Sequence, residues 1–189
     1  MTIATAKTSV TPQELLALPN SVNYELVDGQ LVKRHMGLES SAIAAVIAIL
    51  LGIWNKRTKA GHLFTTDAGY ECFPDAQGKV RKPDVSFVRK GRFEGEKVPE
   101  GFGTVAPDLA VEVLSPNDLA YEIDRKIEEY LGAGVRLIWV VNPQTKTVKI
   151  HRPAGALLGS FAYLNEQDTI KGEDVLPDFE CRVAEFFDV

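Results

Sequence analysis

Apolar residues run along this chain in two rhythms. Short apolar runs bounded by turn formers predict strands, and one continuous aliphatic stretch predicts a helix. Tyr24 to Arg34 alternates around Asp28-Gly29, the two-residue turn of a β-hairpin. Glu39 to about Lys59 is almost unbroken in small and aliphatic residues and predicts a long, mostly buried helix. His62–Thr65, Gly69–Phe73 and Lys82–Val88 read as strands, with a turn at Asp75–Gly78 and a Gly-, Pro- and Glu-rich loop from Arg89 to Ala106. Asp108–Ser115 is a further strand, followed by a helix from Pro116 to Leu131 that Gly132-Ala-Gly134 stops. Arg136–Val141 and Thr147–His151 form a strand pair turned by Asn142-Pro143; short strands and turns follow, with a closing helix at Val183–Phe187. Near the start, Thr11-Pro12-Gln13-Glu14 caps a short helix to Leu18, and residues 1–10 read as a loose tail. Strands and helices in this order predict one domain over 1–189. Its class is α/β, bordering on α+β, with a mixed central sheet flanked by helices and an N-terminal hairpin.

One residue breaks the apolar pattern. Glu112 stands in the middle of Asp108-Leu-Ala-Val-Glu-Val-Leu-Ser115, and an ionised acid among Leu, Ala and Val is costly without a cation or strong donors. Alternation puts Glu112 with Ala110 and Leu114, and it puts Asp84 with Ser86 and Val88 opposite Val85 and Phe87. Were the two strands neighbours, their carboxylates would converge and repel unless a divalent cation lay between them.

Lys126 follows from element geometry. With Ser115 as cap and Pro116 as first helical residue, Glu112 lies roughly 10 Å back along the strand. Lys126 lies roughly 16 Å along a helix folding back over it. The plainer alternative pairs Lys126 with Glu122, four residues earlier on an exposed helix face. Glu25, in the first hairpin strand, reads as a solvent-face residue on an edge, ahead of the alternative of a role at the site.

Charge refines this. The net charge of −5 gives no global field for nucleic acid, but Lys79, Arg81, Lys82, Arg89, Lys90 and Arg92 surround Asp84 in sequence as a candidate basic rim. The two cysteines, Cys72 and Cys181, fit no C-x-x-C metal spacing, and the first residues lack the apolar core expected of a secretory leader, so a cytoplasmic setting is expected. Ala42–Ile53, the longest apolar stretch, is too short to cross a bilayer, so no membrane role is expected.

Taken together, Lys82-Pro83-Asp84-Val-Ser-Phe-Val, Pro107-Asp-Leu-Ala-Val-Glu112-Val-Leu-Ser-Pro116 and Asp124-Arg-Lys126-Ile-Glu-Glu-Tyr130 resemble the Uma-two family of restriction endonuclease-like proteins. That family is assigned to the PD-(D/E)XK nuclease superfamily. Tyr24-Glu-Leu-Val-Asp-Gly and Gly134-Val-Arg-Leu-Ile-Trp-Val-Val-Asn-Pro143 fit too, so the resemblance spans almost the whole chain. It implies Asp84 and Glu112 as Mg²⁺ ligands (Mn²⁺ being a substitute), the backbone carbonyl of Val113 as a third ligand, and a homodimer. The superfamily's lysine stands two residues after the acid, where this chain has Leu114; the resemblance implies its migration to Lys126. Some relatives add a glutamate from the first long helix, for which Glu39 is the candidate. The expected function is Mg²⁺-dependent hydrolysis of DNA, with Asp84, Glu112, Lys126 and Glu39 as catalytic candidates. The alternatives are a catalytically silent nuclease-fold binding or assembly module, and a metal-dependent hydrolase of a smaller phosphate ester.

Overall fold

The computed structural model describes residues 9–35, 37–74, 76, 78–154 and 157–189, apart from the side chains of 157–159. Residues 1–8 of the expected tail, and Asp75 and Gln77 of the expected 75–78 turn, lie outside the described residues.

The N-terminal signals act as read. The helix α1 (Pro12–Ala17) is closed by a capping box, Thr11 receiving the Glu14 amide while the Glu14 carboxylate receives the Thr11 amide. Strands β1 (Tyr24–Val27) and β2 (Gln30–Lys33) pair antiparallel across Asp28-Gly29, both with positive φ, as a tight hairpin turn requires. Leu26 packs on Leu15 and Val80, so this hairpin is stitched onto the body by its apolar face.

The centre is a six-stranded mixed sheet ordered β3 (Gly61–Thr65), β4 (Val85–Arg89), β5 (Leu109–Val113), β6 (Leu137–Asn142), β7 (Thr147–Ala154), β8 (Leu157–Asn165). Only β5 and β6 run parallel, and the helix α3 (Ala120–Gly132) makes the crossover between them. The alternation inferred for β4 and β5 holds. Val85, Phe87, Leu109, Val111 and Val113 face the larger core beneath α2 (Leu38–Thr58), where Ile43, Ile47, Leu51 and Trp54 enter it. Ala110, Ile138 and Val140 face the opposite way, under Ile127 and Tyr130 of α3. Trp54 is a packing residue, edge-on to Phe87 and donating to the Pro177 carbonyl. A small β9 (Thr169–Lys171) and β10 (Glu180–Arg182) pair, with a 3-10 helix at Val183–Phe187, closes the α2 side.

Several expectations need correction. Gly69–Phe73 is no strand: Tyr70 makes only isolated bridges to Arg81 and Gly103. The strand expected at Lys82–Val88 starts at Val85, leaving Lys82-Pro83-Asp84 as its lead-in. The expected start of α3 at Pro116 gives way to Ala120, because Asp118 folds back to accept the Ser115 amide and holds residues 115–118 in a turn. Of the short strands expected in the C-terminal part, β9 and β10 are short, but β8 before them is a single long strand. Helix α2, expected to be mostly buried, buries one side only. By length and composition alone it is apolar enough to cross a membrane, and 33% of that span is buried.

One buried group carries a consequence for stability. His151 is 7% exposed and its Nε2 has no hydrogen-bond partner among the described residues. Burial, helped by Lys149 and opposed by Asp124, lowers its pKa from 6.5 to about 4. The folded protein therefore refuses a proton that the unfolded chain accepts below pH 6.5, and stability is lost as pH falls from there towards 4. Urea denaturation should show about 2 kcal/mol less stability at pH 5 than at pH 7.5 from this group. His151→Gln should remove that share; an unchanged pH slope in the variant would refute the assignment.

Candidate active site

Strand β4 and its lead-in set Asp84 beside β5. Val85 pairs with Val111, the Asp84 amide donates to the Val111 carbonyl (2.9 Å), and Asp84 Oδ2 accepts the Val113 amide at 2.8 Å. Asp84 therefore sits at the level where β5 presents Glu112 on its α3-facing side. Both carboxylates line one cleft of about 60 Å³, with Val113, Lys126, Glu25, Arg34 and Arg81. A volume of that size admits a few waters or one partly hydrated ion, not a nucleotide base.

Lys126 is brought there by α3. Its Nζ lies 3.0 Å from Glu112 Oε2 and 3.2 Å from Glu25 Oε1. The alternative, a surface pair with Glu122, is not what the helix makes. Two turns of one helix face suffice for the return, because α3 starts closer to Lys126 than expected and lies directly over β5. One turn further on, the buried Tyr130 hydroxyl donates to Glu112 Oε1 at 2.7 Å. Glu112 thus has one cation and one neutral donor, both from the crossover helix.

Glu25 corrects the sequence reading most. It is 2% exposed, not a solvent-face residue. Its Oε2 accepts from Arg81 Nη1 at 2.8 Å, and its Oε1 accepts the Lys82 amide at 2.9 Å. Burial works to raise its pKa, but Lys126, Arg81, the Lys82 amide and Arg34 together hold it at about 2. The candidate basic rim is likewise reassigned. Lys79, Arg81 and Lys82 are buried; Lys79 and Arg81 both bind Glu129 at 2.6 Å, and Lys82 Nζ donates to the Ser21 carbonyl. Arg92 is tied to Asp108 at 2.9 Å. The exposed bases at the cleft are Lys33 and Arg125 instead. Glu39 stands exposed in the first turn of α2 and does not line the cleft, whereas Glu25 from the hairpin does.

The electrostatics single out Asp84. Burial first, then the neighbouring Glu112, raise its pKa from 3.8 to about 7, against the Val113 amide, Arg34 and Lys126. An acid whose proton affinity is raised by burial and by a neighbouring carboxylate is one that a divalent cation would relieve. Arg34 Nη2 holds Asp84 Oδ1 at 3.0 Å while its Nη1 is anchored on the Thr66 carbonyl. Each carboxylate oxygen already accepts one donor, and each retains a second lone-pair direction. Among the described residues no three His, Cys, Asp or Glu side chains gather as a metal cluster. Two carboxylates with lone pairs to spare suit a hard cation that completes its shell with waters, the habit of Mg²⁺, better than a Zn²⁺ cage of Cys and His. Lys126 is driven the other way. Burial disfavours its charge, but Glu112 and Glu25 outweigh this and raise its pKa above the ordinary lysine value. It is a fixed cation and donor.

A search of curated proteins returns no match. Among solved structures, a putative nuclease belonging to DUF820 from Anabaena variabilis ATCC 29413 superposes with a TM-score of 0.79. It shares 20% identity, over 94% of this chain and 97% of that one. At that identity the likeness speaks for the fold, which is restriction endonuclease-like. The family model Uma2, described as "Putative restriction endonuclease", matches residues 12–184. With that match running from α1 to the closing 3-10 helix, the chain belongs to the Uma2 family.

Proposed function

We propose that this chain is an endonuclease that hydrolyses phosphodiester bonds of DNA in the cytoplasm with a bound divalent cation, Mg²⁺ or Mn²⁺. The observation carrying this reading is the meeting of Asp84, Glu112 and Lys126, from a strand lead-in, its neighbouring strand and the crossover helix, in one cleft. Asp84 and Glu112 would hold the ion, with the Val113 carbonyl beside them. When bound, such an ion activates water and neutralises charge developing on phosphate. The protein's own side chains do the rest. Lys126 keeps its proton and donates, so its part is to orient the attacking water or to meet negative charge on the phosphate. Tyr130 and Glu25 fix the direction of Glu112 and Lys126. Lys33 and Arg125 offer charge to the phosphates on either side of the cleft.

The competing reading, a silent binding module, is favoured by Leu114 in the usual lysine position and by the donors already on both carboxylates. Incubating the purified protein with supercoiled plasmid and with RNA, in Mg²⁺, Mn²⁺ or EDTA, separates them. We expect metal-dependent nicking of plasmid that EDTA stops. A protein that cleaves neither polymer and binds no Mn²⁺ by calorimetry is the silent module. The homodimer implied by family likeness is proposed alongside.

A further inference from the structure

On the far side of α3 from the cleft lies a second groove, of about 280 Å³, and strand register ties it to the first. Glu112 pairs with Val140, Val140 with Lys149 and Lys149 with Tyr163. Paired residues share a face, so one row across β5, β6, β7 and β8 presents all four on the α3 side of the sheet. At about 4.8 Å per strand, the Lys149 backbone stands roughly 10 Å from that of Glu112, and the Tyr163 backbone roughly 14 Å. The two hollows meet at the N-terminal end of α3, where Asp118 and Ile123 line both. Beyond Lys149 the row ends in exposed aromatic surface: Tyr163 is 63% exposed and Phe161, two residues earlier on the same face, 62%. Lys149 Nζ stands 4.5 Å from the Phe161 ring centroid, a contact that steadies it at the rim of the groove.

The chemistry of the lining selects the occupant. Val140, Ile123 and Ile127 are apolar, and Tyr163 adds a flat ring. Asp124 and Lys149 line the same groove, yet neither forms an ion pair with the other or with any further charge among the described residues. A phosphate is the wrong ligand, because Asp118 and Asp124 set two carboxylates against one ammonium. A purely apolar ligand would leave Asp124 and Lys149 unmatched. A nucleobase meets all of it, with a flat face for Tyr163 and an edge carrying both a donor for Asp124 and an acceptor for Lys149. We propose that this groove takes an unpaired base of the strand being cut, which makes single-stranded DNA, or a locally opened strand, the substrate. The proposal rests on the nuclease reading, which puts a phosphate of that strand in the cleft. The cleft itself, at about 60 Å³, has no room for a base. Phosphate and ion then belong to one side of α3 and the base to the other. A base within a duplex is covered by its neighbours and its partner, and it enters such a groove only by leaving the stack.

Fluorescence anisotropy in EDTA reads binding without cleavage, using a labelled single strand of about 12 nucleotides and the same strand in a duplex. Wild type should bind the single strand at least about 10-fold more tightly than the duplex. Tyr163→Ala should weaken single-strand binding by about 10-fold, the scale for losing one stacked base, and leave duplex binding within about twofold. Tyr163→Phe keeps the ring and should bind as wild type does. Because Tyr163 is exposed, the far-UV spectrum and the Mn²⁺ titration of Tyr163→Ala should be unchanged. A wild type that binds the single strand no more tightly than the duplex, indifference to Tyr163→Ala, or an equal loss on both nucleic acids would each overturn the inference. So would a wild-type dimer that Tyr163→Ala disperses in sedimentation, since the face would then belong to a second copy. The two readings fail separately. Plasmid nicking with no single-strand preference refutes the groove alone, whereas Tyr163-dependent single-strand binding with no nicking refutes the nuclease and leaves the groove as a single-strand site.

Discussion

Glu112→Gln should abolish both Mn²⁺ binding and metal-dependent plasmid cleavage, while Lys126→Met should abolish cleavage and leave Mn²⁺ binding in place. The asymmetry follows from the atoms. Glu112 is the acid from the sheet, and the amide that replaces it can still accept the Tyr130 hydroxyl proton, so the site keeps its shape. What it loses is the charge that a cation needs. We expect cleavage to fall by at least about 10³-fold, the scale for removing a pre-positioned group that meets transition-state charge. Lys126→Met removes no proposed metal ligand. It deletes the cation shared by Glu112 and Glu25, leaving the carboxylates more negative in aggregate and no less able to hold an ion. Cleavage should fall by about 10²- to 10³-fold through loss of the donor aimed at water or phosphate. Calorimetric titration with Mn²⁺ distinguishes the two roles. If Lys126→Met loses the metal as fully as Glu112→Gln does, the lysine serves only to shape the site; if Glu112→Gln still cuts, the proposed ligand set is wrong.

How much of this was legible before the fold was known depended on what each residue answers to. Glu112 was conspicuous because strand alternation and apolar neighbours leave a lone acid nowhere to go. Asp84 became legible with it, since a period of two decides which residues share a face. Lys126 was found in spite of a misplaced helix start. Ser115-x-x-Asp118 has the letters of a capping box, but here Asp118 closes a turn onto the Ser115 amide and Ser115 turns to Ser40 and the His35 carbonyl. The face of the helix, not its first residue, decided the contact. Glu25 was not legible, because a hairpin is expected to turn one side to water. This one is covered on both: Leu26 on one side by Leu15 and Val80, Glu25 on the other by Arg81 and Lys126. A signal did exist in Lys79, Arg81 and Lys82, three bases preceding an apolar strand, which would have to find acids if buried. Reading them as a rim for phosphate sent that signal the wrong way. The apolar run of α2 named a helix but not which sides were covered, since residues that suit a core and residues that suit an interface are the same.

Those buried bases set the largest stability effect we expect. Arg81 is 2% exposed and joins Glu25 to Glu129 through separate nitrogens, at 2.8 Å and 2.6 Å, tying the hairpin to α3 across the cleft. Arg81→Met keeps much of the volume and leaves two carboxylates short of a partner, one of them fully enclosed. Breaking a buried pair from one side costs about 3–5 kcal/mol, and in a domain of this size each kcal/mol lowers Tm by roughly 2–4 °C. The neighbouring Lys79 moderates the loss at Glu129, and Lys126 moderates it at Glu25, so the expected value lies near the lower end. Two controls make the cause visible. Glu25→Gln added to Arg81→Met should recover about 1–3 kcal/mol relative to the sum of the single changes, because the uncompensated charge is gone. Acid titration gives the second. Glu25 has a pKa of about 2 in the fold against 4.5 without it, so its charge contributes stability above pH 4.5 that is lost as pH falls towards 2. Removing Arg81 lets that pKa climb, and the variant should lose less stability than wild type across this window. Denaturation curves at pH 7 and pH 3.5 for the four proteins supply every term. Strict additivity of the two substitutions, or equal acid sensitivity of wild type and Arg81→Met, would show that Arg81 holds the hairpin by packing alone.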